Sequence, residues 1–326
     1  MSSTPLLEAR GLTKHFPIRG AGLFAAKKGG LRAVEDVTIE LHAGKTFAVV
    51  GESGCGKTTL ARMLALLHCP TAGELRFDGQ LVSSNKRRDI NILRRDVQMI
   101  FQDPYSALNP RMTVAAIISE PLRIHRRPGR AERVAALMEA VGLAPSLGDR
   151  YPHEFSGGQR QRIGIARALA LEPRLVIADE PVSALDVSVQ SQVLNLMQDL
   201  QDERGMAYLL VSHDLAVVDH MADQVAVMYL GRIVESAARD DIFARPSHPY
   251  TRALMRAIPT PGGGKRTTRV GLGGEVPSPL NPPAGCPFHP RCPNAVDICR
   301  RERPVLEPVA DSGDGHRAAC HLKGWS

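Results

Sequence analysis

A glycine-rich segment of the chain has the pattern of a phosphate-binding loop. Residues 51–58 read GESGCGKT, which fits G-x-x-x-x-G-K-S/T, and they follow the apolar run TFAVV. Glycines let successive backbone N–H groups point inward around phosphate oxygens, and the helix predicted after the loop adds its positive N-terminus. Lys57 would reach the β- and γ-phosphates, and the Thr58 hydroxyl would ligate Mg²⁺. We therefore predict a site for a nucleoside triphosphate.

A second segment supplies two acids. Residues 174–180 read RLVIADE, an apolar strand that ends in Asp179 and Glu180. Asp179 would hold Mg²⁺ through water, and Glu180 would polarise the attacking water as a general base. An acid pair after a strand is, by itself, usually a solvated strand end. Because it accompanies the loop at 51–58, it predicts hydrolysis of the nucleotide.

Residues 155–162, FSGGQRQR, offer a second device for binding an anion. A Ser-Gly-Gly turn that opens a helix presents free N–H groups and the positive end of the helix dipole. One nucleotide rarely needs both devices from one chain. With these motifs, residues 5–326 resemble the nucleotide-binding subunit of an ABC transporter. In that family the SGGQ segment of one subunit closes over ATP held by the loop of the other, in a head-to-tail dimer.

The resemblance implies a fold and an ATP site. The expected fold is α/β, a P-loop NTPase of the ABC nucleotide-binding type, with a RecA-like core, antiparallel β and helical subdomains, and a small loop-rich C-terminal cysteine module. ATP would be contacted within one chain by Phe16, Gly51, Ser53, Gly54, Cys55, Gly56, Lys57, Thr58 and Thr59. The partner's ATP would be contacted in trans by Ser156, Gly157, Gly158, Gln159 and Asp186.

Individual roles follow from the same resemblance. Phe16 is similar to the aromatic residue that stacks on adenine, although an ordinary core phenylalanine fits its pattern too. Gln102 matches the Q-loop glutamine, Asp186 the D-loop aspartate, and His213 the switch histidine that contacts the γ-phosphate. The implied catalytic residues are Glu180, His213, Gln102 and Lys57, and the implied Mg²⁺ ligands are Thr58, Gln102 and Asp179.

A narrower resemblance concerns the transported substrate. Residues 101–111, 180–188 and 248–254 are similar to the ATPases of dipeptide and oligopeptide importers, especially their F-type subunit. This implies an ATPase that energises peptide import from the cytoplasmic face of the cell membrane. The implied partners are a non-identical D-type ATPase, two transmembrane permeases and, indirectly, an extracytoplasmic peptide-binding protein. ATPases of nickel, glutathione and antimicrobial-peptide transporters share much of the pattern and remain alternatives.

Cysteines crowd the C-terminal part of the chain, at Cys286, Cys292, Cys299 and Cys320. Four thiolates on a proline-rich scaffold with little apolar sequence suggest a metal site that supplies the missing stability. The resemblance favours a 4Fe–4S cluster, with zinc and unliganded or disulfide-bonded cysteines as alternatives. Nearby histidines at 289, 316 and 321 could replace a ligand. A further cysteine, Cys55, lies near a predicted helix start, which would lower the pKa of its thiol.

The elements that must position these residues alternate as in an α/β domain. We predict strands at 46–50, 97–101, 175–178, 208–212 and 225–228, and helices at 57–68, 130–141, 158–171, 187–201 and 215–221. The segment PTPGGG at 259–264 is a linker by composition, and residues 276–293 contain seven prolines. We therefore divide the chain into an ATPase domain at 1–258 and a C-terminal module at 259–326.

Composition and charge bound the function classes. The fractions of hydrophobic (43%) and charged (23%) residues are those of a globular protein, and no apolar run approaches the length of a membrane span. The net charge of +7 suits nucleic acid as well as a nucleotide, but aromatic residues are only 4% of the chain, so base stacking is not indicated. No nucleic-acid partner is expected, and a soluble ABC ATPase of DNA repair or translation remains a remote rival.

Overall fold

The computed structural model describes residues 4–17, 30–83, 86–256, 274–310 and 315–322, so the predicted linker at 259–264 lies outside the described residues. The strands are β1 (Leu7–Pro17), β2 (Gly30–Leu41), β3 (Thr46–Val50), β4 (Ala72–Phe77), β5 (Gln80–Leu81), β6 (Val97–Ile100), β7 (Leu175–Asp179), β8 (Ala207–Ser212), β9 (Gln224–Tyr229), β10 (Arg232–Ala238), β11 (Glu307–Pro308) and β12 (Arg317–Ala318). The helices are α1 (Lys57–Leu64), α2 (Arg87–Asp96), α3 (Pro104–Ala107), α4 (Val114–Ile124), α5 (Arg130–Ala140), α6 (Gly157–Leu169), α7 (Val187–Arg204), α8 (Leu215–Met221), α9 (Arg239–Ala244), α10 (Pro249–Arg256) and α11 (Asp297–Arg301).

The main sheet has eight strands in the order β11-β12-β10-β9-β3-β8-β7-β6. Strand β3 pairs in parallel with β8 and β9, and β7 pairs in parallel with β8 and β6. All five residues of β3 and of β7 are buried, as expected for strands covered on both faces. Because parallel strands end at one edge, the residues that follow β3, β6, β7 and β8 meet there.

A smaller antiparallel sheet, in the order β2-β1-β4-β5, lies beside the main sheet. Its apolar residues, such as Leu7 and Val37, share one buried cluster with Leu60 of α1 and Val49 of β3. Helix α1 therefore joins the two sheets, and the segment before it is fixed by both. This arrangement confirms the predicted α/β fold with an antiparallel β subdomain.

Helices α4, α5 and α6 pack against one another and share a buried cluster with residues of the main sheet. Ile117 and Ile118 of α4, Leu137 of α5 and Ile163 of α6 are buried in one cluster. Thr113 caps α4 by accepting a hydrogen bond from the Ala116 N–H over 3.3 Å. These three helices are the expected helical subdomain.

The C-terminal segment, described at residues 274–310 and 315–322, adds two strands to the main sheet. Strand β12 pairs antiparallel with β10, so that Glu235 faces Ala318 and Ser236 faces Arg317, and β11 pairs with β12. Glu235 is fully buried and its carboxylate lies 2.8 Å from Nε2 of His316. The described part of the proline-rich stretch contains one short 3-10 turn, His289–Arg291, and is otherwise irregular. Within the described ranges, we find no helix both long and apolar enough to span a bilayer.

Candidate functional site

The loop at residues 51–56 follows β3 and needs glycine at two positions in particular. A Cβ on Gly51 would lie 2.2 Å from the carbonyl oxygen of Met228, and one on Gly56 would lie 2.1 Å from that of Ala33. Both glycines also have positive φ angles, 154° and 110°. The loop is therefore held tightly between β9 and β2, and residues of the loop and of the start of α1 line the cavity described below.

Lys57 is buried at the start of α1. Its Nζ donates hydrogen bonds to the carbonyl oxygens of Gly51, over 2.7 Å, and of Glu52, over 3.1 Å. The ammonium therefore lies inside the curl of the loop, where a phosphate oxygen would compete for it.

Thr58 and Asp179 form a pair that suits Mg²⁺. Thr58 Oγ1 donates to Oδ1 of Asp179 over 3.1 Å, which joins the helix after β3 to the end of β7. Burial raises the pKa of the Asp179 carboxyl, and the Thr58 hydrogen bond partly opposes that rise. A hydroxyl and a buried carboxylate are oxygen ligands of the kind that this hard cation prefers, so the two residues fit the predicted role.

Glu180 lies one residue beyond β7, with its carboxylate held from two sides. Gln102 Nε2 donates to Oε2 over 2.7 Å, and His213 Nδ1 lies 3.2 Å from Oε1. The Glu180 N–H donates to the carbonyl of Val211 over 2.8 Å, and its φ angle is 50°. Positive φ is uncommon for a residue with a side chain, and here it turns the carboxylate away from the sheet.

One cavity of about 570 Å³ brings most of the predicted residues together. Its lining includes Phe16, Ser53, Gly54, Cys55, Gly56, Lys57, Thr58, Thr59, Gln102, Glu180 and His213. Phe16 lies on β1. Its ring packs edge-on against the ring of His68, with the two centroids 5.7 Å apart. The cavity wall also includes Arg32, Gly231 and Pro279, which carry no sequence motif and were missed.

The Ser-Gly-Gly segment does not line this cavity. Ser156 and Gln159 instead form a capping box at the start of α6, in which each side chain bonds the other's backbone N–H over 3.3 and 3.0 Å. A Cβ on Gly158 would lie 2.4 Å from Val189 of α7, and one on Gly157 would lie 3.4 Å from Leu185. Asp186 precedes α7 beside them, so this segment and the D-loop form one surface apart from the chain's own cavity.

The predicted lowering of the Cys55 thiol pKa is wrong, whereas the predicted contact of Cys55 with ATP stays a prediction, because the residue lines the cavity. Its side chain is buried beneath the loop, and burial raises the pKa of the thiol instead of lowering it. The charge of Lys57 lowers that pKa, but burial has the larger effect. Cys55 therefore packs within the loop and also contributes to the cavity wall.

The four C-terminal cysteines line one small cavity together. They are free thiols, three of them buried, and the N–H of Cys286 donates to the carbonyl of Cys299 over 2.8 Å. Among the residues that the structure describes, no group of three or more His, Cys, Asp or Glu side chains is arranged to hold a metal ion. The predicted 4Fe–4S cluster, and zinc in its place, gain no support from this arrangement.

The histidines near the cysteines have other partners. His289 Nδ1 lies 2.9 Å from the carbonyl oxygen of Cys286, and His321 Nε2 lies 3.0 Å from that of Glu302. His316 is paired with Glu235. His289 and His321 nevertheless line the small cavity together with the four cysteines.

Comparisons with known protein families agree with this geometry. The profile of the ABC transporter family matches residues 34–183, and that of the oligopeptide/dipeptide transporter C-terminal region matches residues 234–299. The first match spans the loop and the acid pair. The second spans β10 and three of the four C-terminal cysteines.

Several ATP-binding proteins of peptide transporters match nearly the whole chain. It is 54% identical to the probable peptide ABC transporter ATP-binding protein y4tS of Sinorhizobium fredii, over 98% of this chain and 91% of that protein. It is 51% identical to the dipeptide transport ATP-binding protein DppF of Haemophilus influenzae, over 98% and 97%. It is 50% identical to the oligopeptide transport ATP-binding protein AppF of Bacillus subtilis, over 97% of each.

Two solved structures share the fold. One is cbiO1 of Clostridium perfringens, part of the ABC transporter complex cbiONQ, with a TM-score of 0.64 and 26% identity over 74% of this chain and 92% of that one. The other is an ATP-binding cassette solved as a dimer in a post-hydrolysis state bound to ADP and Pi, with a TM-score of 0.63 and 26% identity over 72% and 98%.

Proposed function

Because the chain belongs to the ABC transporter ATPases, and among them to the oligopeptide/dipeptide branch, we propose that it hydrolyses ATP to energise the import of dipeptides or oligopeptides. The observation that carries the ATPase chemistry is the carboxylate of Glu180, held between Gln102 and His213 at the cavity of the phosphate-binding loop. The proposal of a peptide substrate rests on the relatives, which are peptide, dipeptide and oligopeptide transport proteins and match this chain over nearly its full length.

Hydrolysis proceeds by in-line attack of water on the γ-phosphate. Glu180 accepts the proton of the water, while Gln102 and His213 fix the direction in which its two oxygens point. Lys57 neutralises charge on the β- and γ-phosphates. Thr58 and Asp179, with Gln102, would hold Mg²⁺, which would supply further neutralisation of charge. Phe16 forms the wall against which the adenine stacks.

The second half of each ATP site comes from a partner ATPase. Ser156 and the glycines after it open α6 and do not line the chain's own cavity, which supports a contact with a nucleotide held by the partner. A structural relative has been solved as a dimer with ADP and Pi. A D-type subunit is the partner that the peptide-importer resemblance implies, and the two subunits close on ATP and part after hydrolysis.

The permeases dock on the exposed turn that follows Gln102. Asp103 caps the short helix α3 by accepting from the Tyr105 N–H over 2.8 Å, and Tyr105 is exposed with the Arg160 guanidinium 3.9 Å from its ring centroid. A conformational change at Gln102, which bonds Glu180, is thereby passed to a membrane partner. The chain would then lie at the cytoplasmic face of the membrane as a peripheral subunit.

A 4Fe–4S cluster, with zinc as the alternative, is the group that the family resemblance implies for the four C-terminal cysteines. Four cysteines equal the number of thiolate ligands that either group takes. Binding would have to deprotonate Cys286, because burial raises the pKa of its thiol to about 11. Cys286, Cys292, Cys299 and Cys320 would hold the group and gain stability from it.

Reconstitution tests the proposal. The chain is co-expressed with two candidate permeases and a candidate D-type ATPase, purified in detergent, and placed in liposomes with ATP on the cytoplasmic side. We expect ATP-dependent uptake of a labelled tripeptide when the peptide-binding protein is added, and none with the Glu180→Gln chain. Uptake of nickel or glutathione without peptide would show that the substrate is wrong while the ATPase is right.

A further inference from the structure

An arginine of the C-terminal segment reaches the phosphate-binding loop. Arg291 donates from Nη1 to Oε2 of Glu52 over 2.6 Å and from Nη2 to Oε1 over 2.9 Å. Only 3% of the Arg291 side chain and 25% of the Glu52 side chain are exposed. A bidentate pair shielded from solvent is both strong and directional. Glu52 is the second residue of the loop, so the contact joins the C-terminal segment to the nucleotide site.

The backbone of Glu52 is held by the same surroundings. Its N–H donates to the Tyr250 hydroxyl over 2.8 Å, and its carbonyl accepts from Lys57 Nζ. The rings of Tyr250 and Tyr229 pack with centroids 4.7 Å apart, and Arg291 Nη1 lies 3.5 Å from the Tyr229 hydroxyl. Glu52 therefore links the ammonium proposed to bind phosphate with the aromatic residues beneath the C-terminal segment.

The turn that carries Arg291 is itself firmly anchored. Phe288 is almost fully buried, with its ring centroid 5.3 Å from that of Tyr229. The Arg291 N–H donates to the Phe288 carbonyl over 3.0 Å, and the Cys292 N–H donates to the His289 carbonyl over 3.3 Å. The backbone that carries the guanidinium is thus held in place. Because the donor is held, it also restricts the position of its acceptor, the Glu52 carboxylate.

We propose that Arg291 is a positioning residue for ATP: its ion pair with Glu52 holds the loop in the conformation that accepts the triphosphate. The inference rests on the proposed ATP site and does not depend on which substrate is transported or on what the cysteines bind. It gives the C-terminal segment a part in nucleotide binding that the phosphate-binding motif alone does not contain.

A mutant cycle on the full-length chain tests this role. Arg291→Gln, Glu52→Gln and the double variant are compared by calorimetric titration with Mg–ATP, well below their measured unfolding temperatures. We expect Kd to rise about tenfold in each single variant and no further in the double, because both remove one interaction. Arg291→Lys, which keeps the charge without the planar fork, should recover only part of the loss. Arg301→Gln, at an exposed arginine of the same segment, is the matched control and should bind normally.

The alternative is a purely structural pair. In that case the variants unfold at lower temperature but bind Mg–ATP as tightly as the wild type while folded, and the proposal is wrong. Additive effects in the double variant would also overturn it. If Arg291→Gln fails to fold, Glu52→Gln and Arg291→Lys still decide the question. Failure of the wild-type chain to bind Mg–ATP would instead overturn the proposed function itself.

Discussion

Nε2 of Gln102 donates a hydrogen bond to Oε2 of Glu180 over 2.7 Å. The two residues follow β6 and β7, which are neighbouring parallel strands, so the sheet brings their backbones to one edge. His213 lies beside the other oxygen of the carboxylate. The Glu180 carboxylate is thus held by one partner at each oxygen, and the residue lines the cavity of the phosphate-binding loop.

Replacing Glu180 with glutamine should remove turnover and keep nucleotide binding. The amide has the shape of the carboxylate but accepts no proton, and general-base catalysis is worth roughly 100- to 10,000-fold. Phosphate release by the assembled ATPase pair and equilibrium binding of Mg–ATP are the two measurements. Glu203→Gln, at an exposed position of α7, is the control. Undiminished hydrolysis would remove Glu180 from the catalytic role.

Replacing Phe16 with alanine should weaken ATP binding. Stacking of a base on an aromatic ring contributes about 1–3 kcal/mol, and a tryptophan at this position should restore it. Titration of the chain with ATP and with inorganic triphosphate separates the base from the phosphates, because only ATP should lose affinity. Equal loss for both ligands would mean that Phe16 acts through its contact with His68 and not through adenine.

Ser156→Ala should separate two roles of one hydroxyl. The cap of α6 is lost, which lowers the free energy of unfolding by about 1 kcal/mol. The isolated chain should still bind Mg–ATP in its own site, whereas hydrolysis by the assembled pair should fall because the partner's nucleotide loses a contact. Ser156→Thr keeps the cap and is the control for stability. Normal hydrolysis by the pair would argue against the in-trans assignment.

Stability should fall as the solution becomes acidic, because of His248. Burial lowers the pKa of this imidazole from near 6.5 to about 4, against the opposing charge of Glu235. The unfolded chain therefore binds a proton between these pH values that the folded chain does not. The contribution of His248 to the free energy of unfolding is fully present above about pH 6.5. It declines toward pH 4, by at most about 1.4 kcal/mol per pH unit.

Denaturant titrations of the wild type and of His248→Asn at several pH values measure this effect. Asparagine can still accept the hydrogen bond that the Tyr250 N–H donates to His248 over 3.0 Å, but it does not titrate. The variant should show a smaller decrease in stability between pH 6.5 and 4.5. Identical pH profiles would assign the acid sensitivity to other groups.

Alkylation should distinguish Cys55 from Cys69. Cys55 is buried with a raised thiol pKa, whereas Cys69 is exposed. Iodoacetamide at neutral pH should therefore modify Cys69 quickly and Cys55 slowly, as peptide mass spectrometry of the folded chain would show. Rapid labelling at residue 55 would mean that the loop opens in solution more than its packing suggests.

Continuous apolar strands were the easiest elements to predict. The strand at 46–50 and the helix at 215–221 have the predicted bounds. An uninterrupted run of apolar residues, or an amphipathic segment that follows a capping residue, can be recognised from the neighbouring sequence alone. Helix α1 was predicted to extend to residue 68 but ends at Leu64, and Leu66 has a φ angle of 51°. A break of this kind arises from packing, which propensity does not show.

Contacts between distant parts of the chain were harder to predict from the sequence. The motifs predicted that Lys57, Glu180 and His213 share a cavity, because parallel strands end at one edge. Nothing predicted that Arg291 pairs with Glu52, since the two lie 239 positions apart and neither belongs to a periodic pattern. The two-residue strands β11 and β12 were missed because so short a strand has no alternation to detect.

The pairing of β12 with β10 also affects how the protein is made. A ribosome adds roughly 80 residues after β10 before Arg317 and Ala318 exist, which takes several seconds at ordinary elongation rates. Until then the outer edge of β10 is open, and open edges invite pairing with neighbouring nascent chains. Glu235, a charge placed on that strand, discourages such aggregation. Once His316 has been synthesised, it pairs with the same carboxylate. Glu235 therefore disfavours intermolecular pairing at the edge of β10 before β12 is made, and holds the C-terminal segment to β10 afterwards.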